Sequence, residues 1–243
     1  MYGCNFAQMY DKKEQLWNDD FREGKVLLMD KPLEWTSFDV VKKIRIQTGI
    51  SKVGHAGTLD PLATGLLIVC TGKFTKKINE YMAAEKEYIG TFTLGYTTPT
   101  YDLESEPVPH APYQHLSMHD LLMATASFKG EIMQVPPIFS AIKQAGKPAY
   151  ILARKGKEVK MEPRKITISS FDITELTDNQ VHFRVVCSTG TYIRSLAYDF
   201  GMSLGCGAYL SSLRRTRIGE FHVDKAMGIN DFVDQIQLLK PKT

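Results

Sequence analysis

The chain has 243 residues, of which 43% are hydrophobic and 23% charged, and a formal net charge of +3. That is enough chain to bury a sizeable core, in one large domain or two small ones. No apolar run approaches the roughly 18 residues needed to span a bilayer. The first 24 residues carry charges throughout and lack the apolar core of a signal peptide, so a cytoplasmic protein is expected.

In chain order, residues 1–24 read as an N-terminal extension. KVLLM, residues 25–29, predicts a short buried strand that ends by Pro32. Thr36 with Asp39 three residues later predicts a capping box. Phe38, Val41, Ile44 and Thr48 then fall on one face of a helix that Gly49 stops. GHAGTLDPLATG, residues 54–65, follows as a loop, and LLIVCT, residues 66–71, predicts a second buried strand. Asp60 is the one carboxylate of that loop. Asp-Pro is also an ordinary turn opening, but a loop between a helix and a core strand is where a rigid scaffold displays functional groups.

Residues 86–98 alternate Tyr88, Gly90, Phe92, Leu94 and Tyr96 on one side, a strand pattern. Residues 99–112 are polar and proline-bearing and predict a long surface loop. A short helix is expected over 118–128 and a helical patch over 148–155, with Pro148 in its first turn. Residues 164–188 predict two antiparallel strands joined at Asp178-Asn179. A helix then opens just past Gly190 and closes near Gly205. With no repeat, linker or composition break, residues 25–243 read as one continuous α+β domain.

Four cysteines (Cys4, Cys70, Cys187, Cys206) form no C-x-x-C pair, and no Cys/His cluster has zinc spacing, so no metal site is expected. Neither a P-loop nor G-x-G-x-x-G occurs, which leaves nucleotide chemistry without a sequence basis. Charge is unevenly placed. Between Lys143 and Lys165 eight basic residues stand against Glu158 and Glu162, and LRRTR at 213–217 is a second basic knot. Such runs suit a polyanionic partner.

The segments DKPLEWTSFDVVKKIR, KVGHAGTLDPLATGLLIVCTGKFTK, KEYIGTFTLG, PPIFSAIKQAGKPAYILARKG, CSTGTYIRSLAYDFG and LSSLRRTRIGEF occur in this order in TruB-type tRNA pseudouridine synthases. From about residue 25 to about residue 226 the chain resembles that family, which makes the pseudouridine of the tRNA TΨC loop. The resemblance implies a mixed, largely antiparallel sheet flanked by helices, with an RNA-binding cleft. It implies that Asp60 is the catalytic carboxylate, that Tyr88 stacks on the target base, and that Arg194 pairs with the aspartate. His55, Tyr192 and Leu213 match residues that line the target-nucleotide pocket. Lys31, grouped with them, matches with Pro32 a motif that buttresses the active-site loop. Lys143, Arg154, Lys155, Arg164, Lys165, Arg214 and Arg215 would contact RNA phosphates, which position a nucleic acid without reading its sequence. The partner implied is the T-arm of tRNA, met by a monomer with no cofactor and no obligatory protein partner.

Base isomerisation fits one acid. Glycoside hydrolysis generally uses two carboxylates, whereas here the leaving base is retained and returned to the same sugar. The carboxylate would act ionised, as a nucleophile or as the base that opens a glycal route. Many bacterial members of the family continue into a small RNA-binding domain of the PUA kind. GEFHVDKAMGINDFVDQIQLLKPKT has room for a strand and one helix, so that domain is not expected here. Leu33-Glu34-Trp35 also stand where small residues are common. Two other readings use the same scaffold: a non-catalytic tRNA-folding module, and a guide-RNA-dependent synthase acting on ribosomal RNA.

Overall fold

A computed structural model describes residues 21–140, 142–144, 146–154, 156 and 159–239. Residues 1–20 of the expected extension, Lys155, and the side chains of Lys143 and Arg154 lie outside the described residues. In chain order the elements are β1 (Val26–Lys31), α1 (Ser37–Thr48), β2 (Val53–Ala56), β3 (Ala63–Thr71), α2 (Ile78–Ala83) and β4 (Lys86–Leu94). There follow β5 (Tyr96–Thr97), β6 (Val108–Pro109), α3 (Met118–Thr125), β7 (Gly130–Gln134), β8 (Lys143–Gln144), β9 (Lys147–Pro148) and α4 (Ala149–Arg154). The last are β10 (Arg164–Thr177), β11 (Gln180–Cys187), α5 (Ile193–Ser203), β12 (Ala208–Ile218), β13 (Phe221–His222) and α6 (Ile229–Leu239). They form two compact units, one of the described residues up to Tyr88 together with those from Arg214, the other of Ile89–Leu213.

In the first unit β3 pairs antiparallel with β1, from Val26 opposite Cys70 to Lys31 opposite Gly65. It also pairs with β2, from Val53 opposite Thr71 to Ala56 opposite Ile68. Side chains alternate across a strand, and here both faces are buried. Leu27, Met29, Leu67 and Val69 pack with Val40, Val41 and Ile44 of α1 and Phe232 and Ile236 of α6. Val26, Leu28, Leu66, Ile68 and Cys70 pack on the other face with Ile218 and Ala226. Burial on both faces explains why these strands read as continuous apolar runs.

Helix α1 begins with the expected capping box and ends at Gly49, whose φ of 70° is left-handed. Its buried face differs from expectation. Ser37, Val40, Val41 and Ile44 point inward, while Phe38 is 58% exposed, with the Arg45 guanidinium over its ring. The apolar pattern gave no weight to Ser37, which is buried because its hydroxyl is hydrogen-bonded. The segment expected as a loop opens as strand β2, held by Val53 and Ala56 inside the sheet.

In the second unit β10 and β11 form the predicted hairpin, turning at Asp178 with φ 55°. Strand β7 adds to β10, from Arg164 opposite Gln134 to Ile168 opposite Gly130. Phe92 stacks on Phe183 at 4.1 Å between ring centroids, and Phe171 and Phe200 close around the pair. Residues 99–112 are not a surface loop throughout, because Thr100 and Asp102 are buried. Pro148 lies in β9, just ahead of α4 rather than within its first turn. The registered strand pairings are antiparallel, with isolated parallel bridges at Met29–Met227 and Asp102–Leu210. The α+β expectation of a mixed, largely antiparallel sheet with flanking helices is therefore met. Among the described residues no helix is long and apolar enough to cross a membrane.

Candidate active site

Asp60 stands in the loop joining β2 to β3, and the main chain on either side of it is held by buried polar side chains. Ser37 is 2% exposed; its hydroxyl accepts from Leu59 N–H at 2.9 Å and donates to Leu59 C=O at 3.1 Å. On the other side, Pro61 C=O accepts from Lys31 Nζ at 3.2 Å and from Glu34 N–H at 2.9 Å. Lys31 has no exposed surface and also donates to Pro32 C=O and Trp35 C=O. Ala63 N–H closes a turn onto Asp60 C=O at 3.0 Å. At the foot of the loop, Arg215 donates from Nη2 to Gly57 C=O at 3.1 Å and from Nε to Leu66 C=O at 2.8 Å. The peptide groups of the loop are spent on its anchoring, and the half-buried Asp60 carboxylate is the functional group it displays.

Burial is the main cause that pulls the Lys31 ammonium down to about 8, with Arg215 adding to the fall and the Asp60 charge opposing it. His55, half-buried on β2, is also pushed below the ordinary histidine value, first by burial and then by Arg215, against a main-chain hydrogen bond at Gly57. Its imidazole is neutral at pH 7. Tyr88 belongs to the same unit, 8% exposed on β4. Arg214, next to Arg215 on β12, makes a two-pronged contact with Asp30, at 3.0 and 2.7 Å.

In the second unit, Tyr192 and Arg194 stand at the start of α5 and Leu213, half-buried, on β12. Gln134 locks the Tyr192 main chain in both directions, donating to its C=O at 3.0 Å and accepting from its N–H at 2.8 Å. Arg194 is 5% exposed and donates to Thr100 C=O at 3.1 Å and Phe139 C=O at 3.0 Å, with its Nε 3.5 Å from the Asp102 carboxylate. The turn that presents Thr100 and Asp102 is strained at Tyr101, φ 65°, and the Tyr101 ring stacks on Tyr198 at 4.2 Å.

The expected phosphate contacts divide sharply. Arg164 and Lys165 are exposed at the start of β10, and Lys165 pairs with Glu131 at 2.9 Å. Arg215 is corrected: at 1% exposure, its guanidinium is enclosed and bonded to carbonyls, so it cannot meet a phosphate. Ser37, Asp102 and Gln134 hold site residues in place and were not singled out from sequence. Only Ser37 left a trace there, a polar residue on the inward face of an amphipathic helix. Among the described residues, no group of three or more His, Cys, Asp or Glu side chains is placed to hold a metal ion.

Comparison with known families matches residues 44–193 to the TruB family pseudouridylate synthase N-terminal domain. Residues 194–242 match the tRNA pseudouridylate synthase B C-terminal domain. A tRNA pseudouridine synthase B of Flavobacterium johnsoniae is 50% identical over 226 residues, covering 90% of this chain and 99% of its own. That of Parabacteroides distasonis is 48% identical over 225 residues, covering 89% and 96%. Among solved structures, a chain of a Cbf5-Nop10-Gar1 complex superposes with a TM-score of 0.69 at 32% identity, over 88% of this chain and 54% of that one. A chain of an H/ACA RNP bound to a substrate RNA containing 2′-deoxyuridine gives 0.66 at 28% identity, over 94% and 56%. The chain thus spans about half the length of these solved relatives.

Proposed function

The chain belongs to the TruB family of pseudouridylate synthases, and from that premise we propose that it isomerises uridine to pseudouridine at position 55 of the tRNA TΨC loop, with Asp60 as the catalytic carboxylate. The observation that carries the reading is the anchoring of one loop: Ser37 fixes Leu59, Lys31 and Glu34 fix Pro61, and Asp60 lies between them. A carboxylate held on a rigid main chain is positioned before substrate arrives, which removes part of the entropy cost of the reaction.

The chemistry is an exchange within one nucleotide. The N1–C1′ bond breaks, the uracil turns, a C5–C1′ bond forms, the C5 proton leaves and N1 takes one up. No atom is gained and nothing is oxidised or hydrolysed, so a single carboxylate suffices in a site that keeps water out. The target uridine is stacked inside a folded loop and is flipped out to reach the acid. Tyr88 offers a flat face to the flipped base, worth about 1–3 kcal/mol by analogy with other base-stacking sites. His55, held neutral, lines the nucleotide pocket without adding a charge. Tyr192, Arg194 and Leu213 of the second unit enter this reading with the roles that the family resemblance gives them. The enzyme acts as a monomer on the T-arm.

The test incubates the protein with a uridine-containing T-arm hairpin and maps pseudouridine by position. Wild type is expected to convert one T-loop uridine, and Asp60→Asn to bind the hairpin with no product. Product from Asp60→Asn overturns the assignment of the carboxylate. A folded wild type that binds RNA and makes no pseudouridine overturns the activity in favour of an RNA-folding module.

A further inference from the structure

Arg215 sits in a sequence, LRRTR, that reads as a solvent-facing basic knot, yet it is the largest of the fully buried side chains. Both of its hydrogen bonds go to main-chain carbonyls, Gly57 C=O and Leu66 C=O, and among the described residues it forms no ion pair. Burying a guanidinium without a carboxylate is costly, and a methionine or leucine fills similar space without that cost. What an apolar residue cannot do is reach two carbonyls at once. Nor can a lysine, whose single ammonium lacks the planar fork that spans two acceptors in one geometry.

The two carbonyls are not arbitrary. Gly57 begins the loop that carries Asp60, and Leu66 lies in β3 beyond the loop's end. The fork therefore ties the entry of the loop to the strand that follows it. The position leaves no slack: a Cβ on Gly57 would lie 3.6 Å from Arg215 Nη1, and one on Gly65 would lie 2.3 Å from Arg215 C=O. The basic groups within its electrostatic reach are Lys31 and His55, and its charge lowers the proton affinity of both.

We propose that Arg215 is a positioning residue for Asp60, its fork fixing the foot of the catalytic loop and so the direction of the carboxylate. The inference rests on the reading of Asp60 as the catalytic acid. It is tested by steady-state kinetics of Arg215→Met and Arg215→Lys on the T-arm hairpin, beside wild type and Asp60→Asn, with circular dichroism to verify folding. A displacement of about 1 Å costs on the order of 100-fold in rate, so Arg215→Met is expected to lower kcat by about that factor with KM within about threefold of wild type. Arg215→Lys keeps the charge and one carbonyl bond and is expected to stand about 10-fold below wild type.

A wild-type kcat in Arg215→Met overturns the proposal, as does a loss confined to KM, the signature of a phosphate contact. If Arg215→Met does not fold, Arg215→Lys decides, and a wild-type kcat there overturns it. A productive wild type with an inactive Asp60→Asn secures the underlying reading separately, so a normal kcat in the Arg215 variants fails the positioning role alone.

Discussion

Lys31 places a charged amine where no solvent reaches, and its reason lies in three carbonyls, those of Pro32, Trp35 and Pro61. An ammonium has three N–H donors and meets all three acceptors, whereas the neutral amine has only two. Burial lowers its proton affinity from 10.5 to about 8. The linkage then has a definite sign. Between pH 8 and 10.5 the unfolded chain holds this proton and the folded chain has lost it, so the residue's contribution to stability rises with pH across that window. The stability of wild type relative to Lys31→Met should therefore increase from pH 7.5 to pH 10.5, by on the order of 3 kcal/mol. Urea unfolding of both proteins at the two pH values reads it. A flat difference would mean that the amine keeps its ordinary proton affinity in the fold. The cost of holding this charge below pH 8 marks the loop it serves as one that stability alone would not have built this way.

At the level of elements, what was legible in the sequence depended on whether local chemistry and tertiary surroundings agreed. The strands β1 and β3 are apolar runs because both faces are buried, and α1 announces its ends with Thr36, Asp39 and Gly49. Strand β2 was read as loop because Val53 is its one strong strand former; pairing with β3 makes it a strand. Strands β7 and β12 were missed for the same reason. The alternation along 208–218 is broken by Ser211, Ser212 and Arg214, and Arg215 is buried through hydrogen bonds that no pattern of apolar residues records. Of the candidate site, Asp60 could be found through the motif around it, but Asp102 could not, since its partner Arg194 lies far along the chain.

The close approach of β3 and β12 gives a prediction of its own. Gly49 and Gly65 both have positive φ, 70° and 101°, but a Cβ on Gly49 meets nothing within 4 Å, while one on Gly65 meets Arg215 backbone. Gly49→Ala should cost about 1 kcal/mol, the backbone term alone. Gly65→Ala should cost at least about 2 kcal/mol more, because two strands must part to admit the methyl. Chemical denaturation of the two variants separates the terms, and equal losses would show that the sheet yields at Gly65.

Over the whole molecule, a net charge of +3 is too small to bind RNA by bulk attraction, so affinity rests on which cations are exposed and uncommitted. The basic residues expected at phosphates differ widely in this respect. Arg215 is enclosed, Arg214 is committed to Asp30, and Lys165 is paired with Glu131. Arg164, at the start of β10, is exposed and forms no ion pair among the described residues. A phosphate contact releases a counterion, so removing one lowers the slope of log affinity against log salt by about 1. Fluorescence anisotropy with a labelled T-arm hairpin between about 50 and about 200 mM salt resolves that difference. Arg164→Gln should weaken binding and reduce the slope by about 1 with kcat unchanged, whereas Arg215→Lys should leave the slope at its wild-type value while kcat falls. A slope unchanged in Arg164→Gln would move the phosphate track away from β10. Binding and catalysis would then be carried by separate cations, the exposed ones holding RNA and the enclosed ones holding the loop that acts on it.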